Sequence, residues 1–91
     1  MSTLTLDSSL TVHPRVSIRP EPFGALLYHF GTRRLSFLKS RQLLAVVEGM
    51  DAATSVREAL SGAGVAESDI PAYLSALRTL QDSQMLVEAV A

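Results

Sequence analysis

Residues Tyr28 to Met50 read YHFGTRRLSFLKSRQLLAVVEGM, and this is the most informative stretch of the chain. It begins in a strand pattern and reaches a turn at Gly31-Thr32, because glycine readily takes the positive φ of tight turns. A short strand is predicted over Arg34–Leu38. Ser40 is a suitable N-cap for an amphipathic helix over Arg41–Glu48. The stretch therefore predicts a strand, a turn, a second strand and a helix in that order.

Three more features lie upstream or at the start of this stretch. Alternating apolar and polar residues predict a strand over Val16–Arg19, and a further strand is predicted over Ala25–Phe30. Residues 1–13 are rich in Ser and Thr, which predicts a flexible arm, although the alternation of Leu4, Leu6, Leu10 and Val12 permits a transient or partner-induced strand. The predicted domain covers residues 14–91.

Two helices are predicted downstream. Ser55 and Glu58 have the spacing of a capping box at the start of the second helix. The third helix covers Ile70–Gln81, with apolar side chains spaced at helical intervals: Ile70, Tyr73, Leu74, Leu77 and Leu80. Together the elements predict an α+β fold, in which a three-stranded antiparallel sheet is followed by three helices, resembling a winged helix-turn-helix.

The composition excludes several classes of protein. The 91 residues are 47% hydrophobic and carry a net charge of −1, which argues against a surface for duplex nucleic acid. The chain has no cysteine, so thiolate chemistry and iron–sulfur ligation are excluded. The N-terminus lacks the pattern of a secretory signal, and no apolar run reaches the length of a membrane span. We therefore expect a cytoplasmic protein.

The residues offer little chemistry. The two histidines, His13 and His29, have no carboxylate or second histidine at a metal-binding spacing, so a structural role is favoured for both. A glycine-rich phosphate loop is absent, and no nucleophile has a neighbouring base. We predict no enzymatic activity, no metal and no cofactor.

The strand Arg34–Leu38 is the candidate binding element, because an edge strand offers backbone N–H and C=O groups to an incoming peptide. Arg33 and Arg34 either discourage aggregation at the sheet edge or pair with acidic side chains of a peptide; the pattern slightly favours the first. Leu35 and Phe37 are predicted to belong mainly to the core.

These segments resemble a known family. RLSFLKSRQLLAVVEGM (34–50) and SDIPAYLSALRTLQDSQML (68–86) are similar to the PqqD-like peptide-recognition domains, known as RiPP recognition elements, and within them to the chaperones of mycofactocin biosynthesis. The resemblance covers roughly residues 14–87. Many relatives place Leu-Asn before the first helix, whereas this chain has Phe37-Leu38-Lys39-Ser40, so the helix cap moves to Ser40.

The resemblance implies a non-catalytic peptide chaperone. Such a domain binds the leader of a ribosomally made precursor peptide as an added strand, and presents it to a radical S-adenosylmethionine maturase. Carried onto this sequence, the peptide-binding residues are Arg33, Arg34, Leu35, Ser36, Phe37 and Leu38 of the strand, with Tyr73, Leu74, Leu77, Arg78 and Gln81 of the third helix. Two alternatives are a small winged-helix accessory protein that binds nucleic acid, and a structural subunit without a ligand.

Overall fold

The computed structural model describes residues 4–89, which form two antiparallel sheets and three α-helices. The strands are Leu10–Val12 (β1), Val16–Glu21 (β2), Gly24–His29 (β3), Leu35–Leu38 (β4) and Leu86–Glu88 (β5). The helices are Arg41–Gly49 (α1), Val56–Gly62 (α2) and Ile70–Asp82 (α3), the last preceded by a 3₁₀ turn at Glu67–Asp69. The predicted α+β class is confirmed, with the three-stranded sheet β2-β3-β4 ahead of the helices. The likeness to winged helices stays a prediction.

The sheet β2-β3-β4 has one face toward the helices and one toward solvent. On β3, Ala25 and Leu27 are buried and contribute to the core, whereas Leu26 and Tyr28 alternate onto the opposite, outer face. Register then determines the neighbours, because residues paired across antiparallel strands lie on the same face. Leu27 pairs with Ser36 and Ala25 with Leu38 on the inner face.

The prediction that Leu35 and Phe37 belong mainly to the core is wrong. They pair with Tyr28 and Leu26 on the outer face and are 55% and 58% exposed. Leu38, which follows them, is the buried residue of β4. The period of two allows either face of a strand to be buried, and here the register with β3 turns the bulkier pair outward.

Helix caps follow the sequence closely. The Oγ of Ser40 accepts a hydrogen bond from the backbone N–H of Leu43 at 2.9 Å, and the Oγ of Ser55 accepts one from Glu58 at 3.2 Å. Each cap satisfies an amide that has no partner within the first turn of its helix. The predicted starts of α1 and α2 are therefore confirmed.

Residues 4–12 differ from the predicted flexible arm. β1 pairs with β5, and Leu4 and Leu10 are 5% and 2% exposed. The carbonyl oxygens of Ser8 and Leu6 accept hydrogen bonds from the first amides of α2, those of Val56 and Arg57. The segment therefore packs on the core and also satisfies two amides that helix geometry leaves unpaired. The alternation of apolar residues was the signal for this strand.

The turn from β3 to β4 is organised by His29 and by one left-handed residue. Nδ1 of the buried His29 accepts hydrogen bonds from the backbone N–H groups of Gly31 and Thr32, at 2.9 and 3.1 Å. Arg33, and not Gly31, adopts positive φ (61°). Burial, with His13 and Arg15 nearby, lowers the pKa of His29 from its ordinary value. The expected structural role of His29 agrees with this geometry.

Gly24 permits the close approach of β3 to the end of β4. Its φ is +152°, and a Cβ at this position would overlap the backbone carbonyl oxygen of Leu38. Only glycine fits such a contact at this conformation. Gly24 therefore fixes where β4 ends relative to the sheet.

Across residues 4–89, none of the helices has the length and apolar character needed to cross a bilayer.

Candidate functional site

The strand β4 lies at the edge of the three-stranded sheet, so among residues 4–89 one side of its backbone has no neighbouring strand. Hydrogen bonds on both sides of β3 identify which groups face that edge. The N–H of Phe30 bonds the carbonyl of Arg15 toward β2, and the N–H of His29 bonds the carbonyl of Arg34 toward β4. Backbone groups alternate in direction along an antiparallel strand.

The alternation extends along β4 through its register with β3. Ser36 and Leu38 pair with Leu27 and Ala25, whose backbone groups point toward β4 as those of His29 do. The N–H and C=O groups of Leu35 and Phe37 therefore point away from the sheet. They form an unpaired ladder that can accept another strand.

An open groove runs beside this edge. Its larger section has a volume of about 360 Å³ and lies between β4 and α3. A second section of about 200 Å³ continues it toward the N-terminal end of α3. The sections share three lining residues, Lys39, Leu43 and Ala76, so they form one groove. Residues of β4, α1 and α3, together with Lys39 and Ser40 between β4 and α1, line the groove.

The wall from α3 is the flank that carries small side chains. Ala72, Ala76 and Thr79 face the groove at helical spacing, with Tyr73 at one end and Leu80 at the other. Sequence reasoning missed Lys39, Leu43, Ala72, Ala76, Thr79 and Leu80 as groove residues. The row of small residues was the available signal, since a cleft beside a helix needs short side chains on that flank.

Tyr73 is held in place by a hydrogen-bond relay. Its hydroxyl donates to Oε1 of Gln42 at 2.9 Å. Nε2 of Gln42 in turn donates to the carbonyl oxygens of Ala63 and Gly64, at 3.2 and 3.0 Å. The relay connects α3 to α1 and to the end of α2, so the groove wall is fixed before any ligand binds.

The structure separates the other predicted residues of α3 from the groove. Leu77 is fully buried in the core, and Leu74 is half-buried against it. Arg78 is exposed but does not line the groove. Oε1 of Gln81 is buried without a hydrogen-bond partner among residues 4–89. The apolar stripe of α3 is mainly core, so the Leu77 side chain has no surface in the groove.

Basic side chains mark both ends of β4. Arg33 and Arg34 precede the strand, and Arg34 lines a polar cleft with Asp82 at the end of α3. Lys39 follows the strand and lines both sections of the groove. Within the described part of the chain, these three side chains form no ion pair; the ion pairs join Arg19 to Glu21 and Arg57 to Asp7. The cations are therefore available to a ligand.

Metal ligation finds no support in the described residues. Residues 4–89 contain no group of three or more His, Asp or Glu side chains able to hold a metal ion. An unpaired strand edge beside a preformed apolar groove is instead the geometry of a peptide-binding module.

Comparison with known proteins agrees with that class. Residues 9–87 match the model of the peptide chaperone MftB family. The chain is 56% identical over 81 residues to the peptide chaperone MftB of Mycobacterium tuberculosis, an alignment that covers 89% of this chain and 74% of the relative. It is 52% identical over 85 residues to the MftB of Mycolicibacterium smegmatis, covering 93% and 83%.

The chain belongs to the peptide chaperone MftB family. The predicted resemblance to mycofactocin-type chaperones is thereby confirmed, as is the prediction that the chain is not an enzyme. No solved structure gives a significant match.

Proposed function

We propose that this chain binds the leader of a ribosomally made precursor peptide as a fourth strand beside β4, and presents it in the cytoplasm to a radical S-adenosylmethionine maturase. The observation that carries the proposal is the outward direction of the Leu35 and Phe37 backbone groups along an open groove. Membership of a peptide chaperone family supports the peptide as ligand.

Strand addition and groove filling would act together. An added strand supplies partners for the free N–H and C=O groups, while its alternate side chains enter the groove and contact Leu43, Ala76 and Leu80. Apolar burial contributes roughly 25 cal/mol per Å², so two or three leader side chains in this groove would supply much of the affinity.

Charge at the ends of the strand favours an acidic leader. Arg34 and Lys39 lie at opposite ends of β4, so acidic residues flanking the leader's apolar anchors would meet a cation at either end. Each exposed pair contributes on the order of 0.2–1 kcal/mol, so charge would tune affinity and association rate more than determine them.

Titration calorimetry with a synthetic leader peptide tests the proposal. The wild-type chain should bind the leader with one-to-one stoichiometry. A duplex DNA should give no heat of binding at low salt. Ala76→Gln would fill the groove from its wall, while Ala52→Gln places the same side chain on an exposed residue remote from β4. Loss of leader binding in both variants, or in neither, would contradict the groove as the site.

A further inference from the structure

The outer face of the sheet β2-β3-β4 is a second surface, which takes no part in the proposed binding of the leader at the groove. It carries all three phenylalanines of the chain, Phe23, Phe30 and Phe37, at 49%, 61% and 58% exposure. Leu35 and Tyr28 lie between them. A small domain normally buries residues of this size, so an exposed apolar patch of this kind marks an interaction site.

The aromatic side chains of this face contact one another. Tyr28 and Phe30 meet edge to face, with ring centroids 4.9 Å apart, and Phe23 and Phe37 lie 6.4 Å apart. Such pairing restricts the rings and presents a continuous apolar surface. We call this surface, formed by Phe23, Leu26, Tyr28, Phe30, Leu35 and Phe37, the outer aromatic face.

The segment of the chain that forms this sheet carries a strongly one-sided charge. Six of the eight Lys and Arg residues fall between residues 15 and 41, where Glu21 is the only acidic residue. They are Arg15, Arg19, Arg33, Arg34, Lys39 and Arg41. The remaining residues carry the acidic excess that gives the whole chain its net charge of −1. The sheet region is therefore basic although the protein is not.

Charge and area together argue against a second copy as the occupant. Two such faces would bring like charges together, which disfavours association. Two strands of six residues and one of four, spaced about 4.8 Å apart, cover only about 250 Å², well below the roughly 800 Å² that each partner buries in a standard interface. An occupant needs acidic groups and additional contact area.

A bound leader would supply that additional area. A strand added to β4 extends the same sheet, so its outward side chains would lie beside Leu35 and Phe37 on the outer aromatic face. Five of the six cations are arginines, which together with Phe and Tyr are enriched at protein interfaces where Lys is depleted. This composition favours a protein partner over a lipid surface.

We propose that the outer aromatic face docks a partner protein with an apolar centre and an acidic rim, and that the bound leader completes the docking surface. This proposal rests on the proposed function, in which the partner is the radical S-adenosylmethionine maturase. The chaperone and its peptide would then be recognised as one composite surface. By linkage, the leader and the enzyme would each strengthen binding of the other by the same factor.

Two variants test the face without touching the groove. Phe30→Ser removes an exposed ring of the outer aromatic face, and Arg19→Glu reverses an exposed rim charge. Arg57→Glu is the matched control, because Arg57 is also exposed and ion-paired with a carboxylate, that of Asp7. It lies on α2 and not on the sheet.

The affinity of each variant for the leader peptide is measured first. Its affinity for the cognate maturase is then measured with and without bound leader. Phe30→Ser and Arg19→Glu should bind leader within about twofold of wild type and bind enzyme at least 10-fold more weakly, whereas Arg57→Glu should match wild type in both. Unchanged enzyme binding in the two face variants would overturn the proposal.

Two further arms exclude other occupants of the face. Sedimentation of the wild-type chain at high concentration should show no dimer that Phe30→Ser dissolves, and vesicles containing phosphatidylglycerol should not capture the chain through Phe30. A dimer that Phe30→Ser dissolves, or capture by the vesicles that depends on Phe30, would overturn the proposal. If the wild-type chain binds the enzyme through this face but binds no leader, then the proposed function and the composite surface both fail, and only docking at the outer aromatic face stands.

Discussion

The outward N–H of Phe37 offers a direct perturbation of strand addition. Proline at position 37 removes that donor and places a ring on the sheet edge, while the β3–β4 ladder uses the groups of Ser36 and Leu38. Compared with Phe37→Ala, which keeps the N–H, Phe37→Pro should lose about 1–3 kcal/mol of binding free energy, or roughly 5- to 150-fold in affinity.

Calorimetric titration of leader into the two variants measures this difference, and urea unfolding shows whether the fold is intact. Both variants should unfold within about 1 kcal/mol of each other, because position 37 donates no hydrogen bond to β3. Ser36→Pro is the opposite control: it removes a ladder donor and should destabilise the hairpin itself. A folded Phe37→Pro variant that binds leader as well as Phe37→Ala would show that the N–H of residue 37 does not pair with the leader.

Three further predictions concern the core, the charge and the pH dependence. Leu77→Ala should lower the free energy of unfolding by about 2–5 kcal/mol, because Leu77 is fully buried, and a melt that matches wild type would contradict its core placement. Arg34→Gln and Lys39→Gln should each flatten the salt dependence of leader association measured by stopped flow, since exposed charges are screened over about 10 Å at 0.1 M. A salt slope equal to that of wild type would remove these cations from the site. Folding lowers the pKa of His29 from its ordinary value of 6.5, so His29 binds protons more readily in the unfolded chain than in the folded one. The contribution of neutral His29 to stability is therefore complete above pH 6.5 and is lost as the pH drops through the lowered pKa of the folded state. Urea melts at pH 7.5 and 5.5 should show this loss in wild type and less of it in His29→Asn.

The helices could be predicted from the sequence because their signals are local. Ser40 and Ser55 cap the helices they were expected to cap, since a hydroxyl three residues before an amide is a short-range interaction. The strand and turn order around Gly31 was likewise visible. Only the residue with positive φ differed, because hydrogen bonds to His29 shape the turn and place Arg33 in that conformation.

The faces of the elements could not be predicted as well. Leu35 and Phe37 are outward because β4 pairs with β3 in one particular register, and a pattern with a period of two does not specify which side is buried. Leu77 is core because the apolar stripe of α3 packs inward against the buried cluster, which leaves the row of small residues to line the groove. Both features depend on tertiary packing, which local sequence patterns do not specify.

The N-terminal segment shows the same limit, because its composition predicted less structure than the segment has. Its Ser- and Thr-rich composition suggested an arm, yet the carbonyls of Leu6 and Ser8 meet the start of α2 and β1 meets β5. Those partners lie about 50 residues or more away in sequence, so composition alone could not reveal them. The family match beginning at residue 9 includes β1 in the shared domain.

Amide hydrogen exchange, followed by NMR on the isotope-labelled chain with and without saturating leader, tests strand addition at β4 most directly. In the free chain, the amides of Ser36 and Leu38 should be protected by β3, and those of Leu35 and Phe37 should exchange quickly. With leader bound, Leu35 and Phe37 should become protected while Ser36 and Leu38 stay as they were. Fast exchange at Leu35 and Phe37 in the saturated complex would contradict strand addition at this edge.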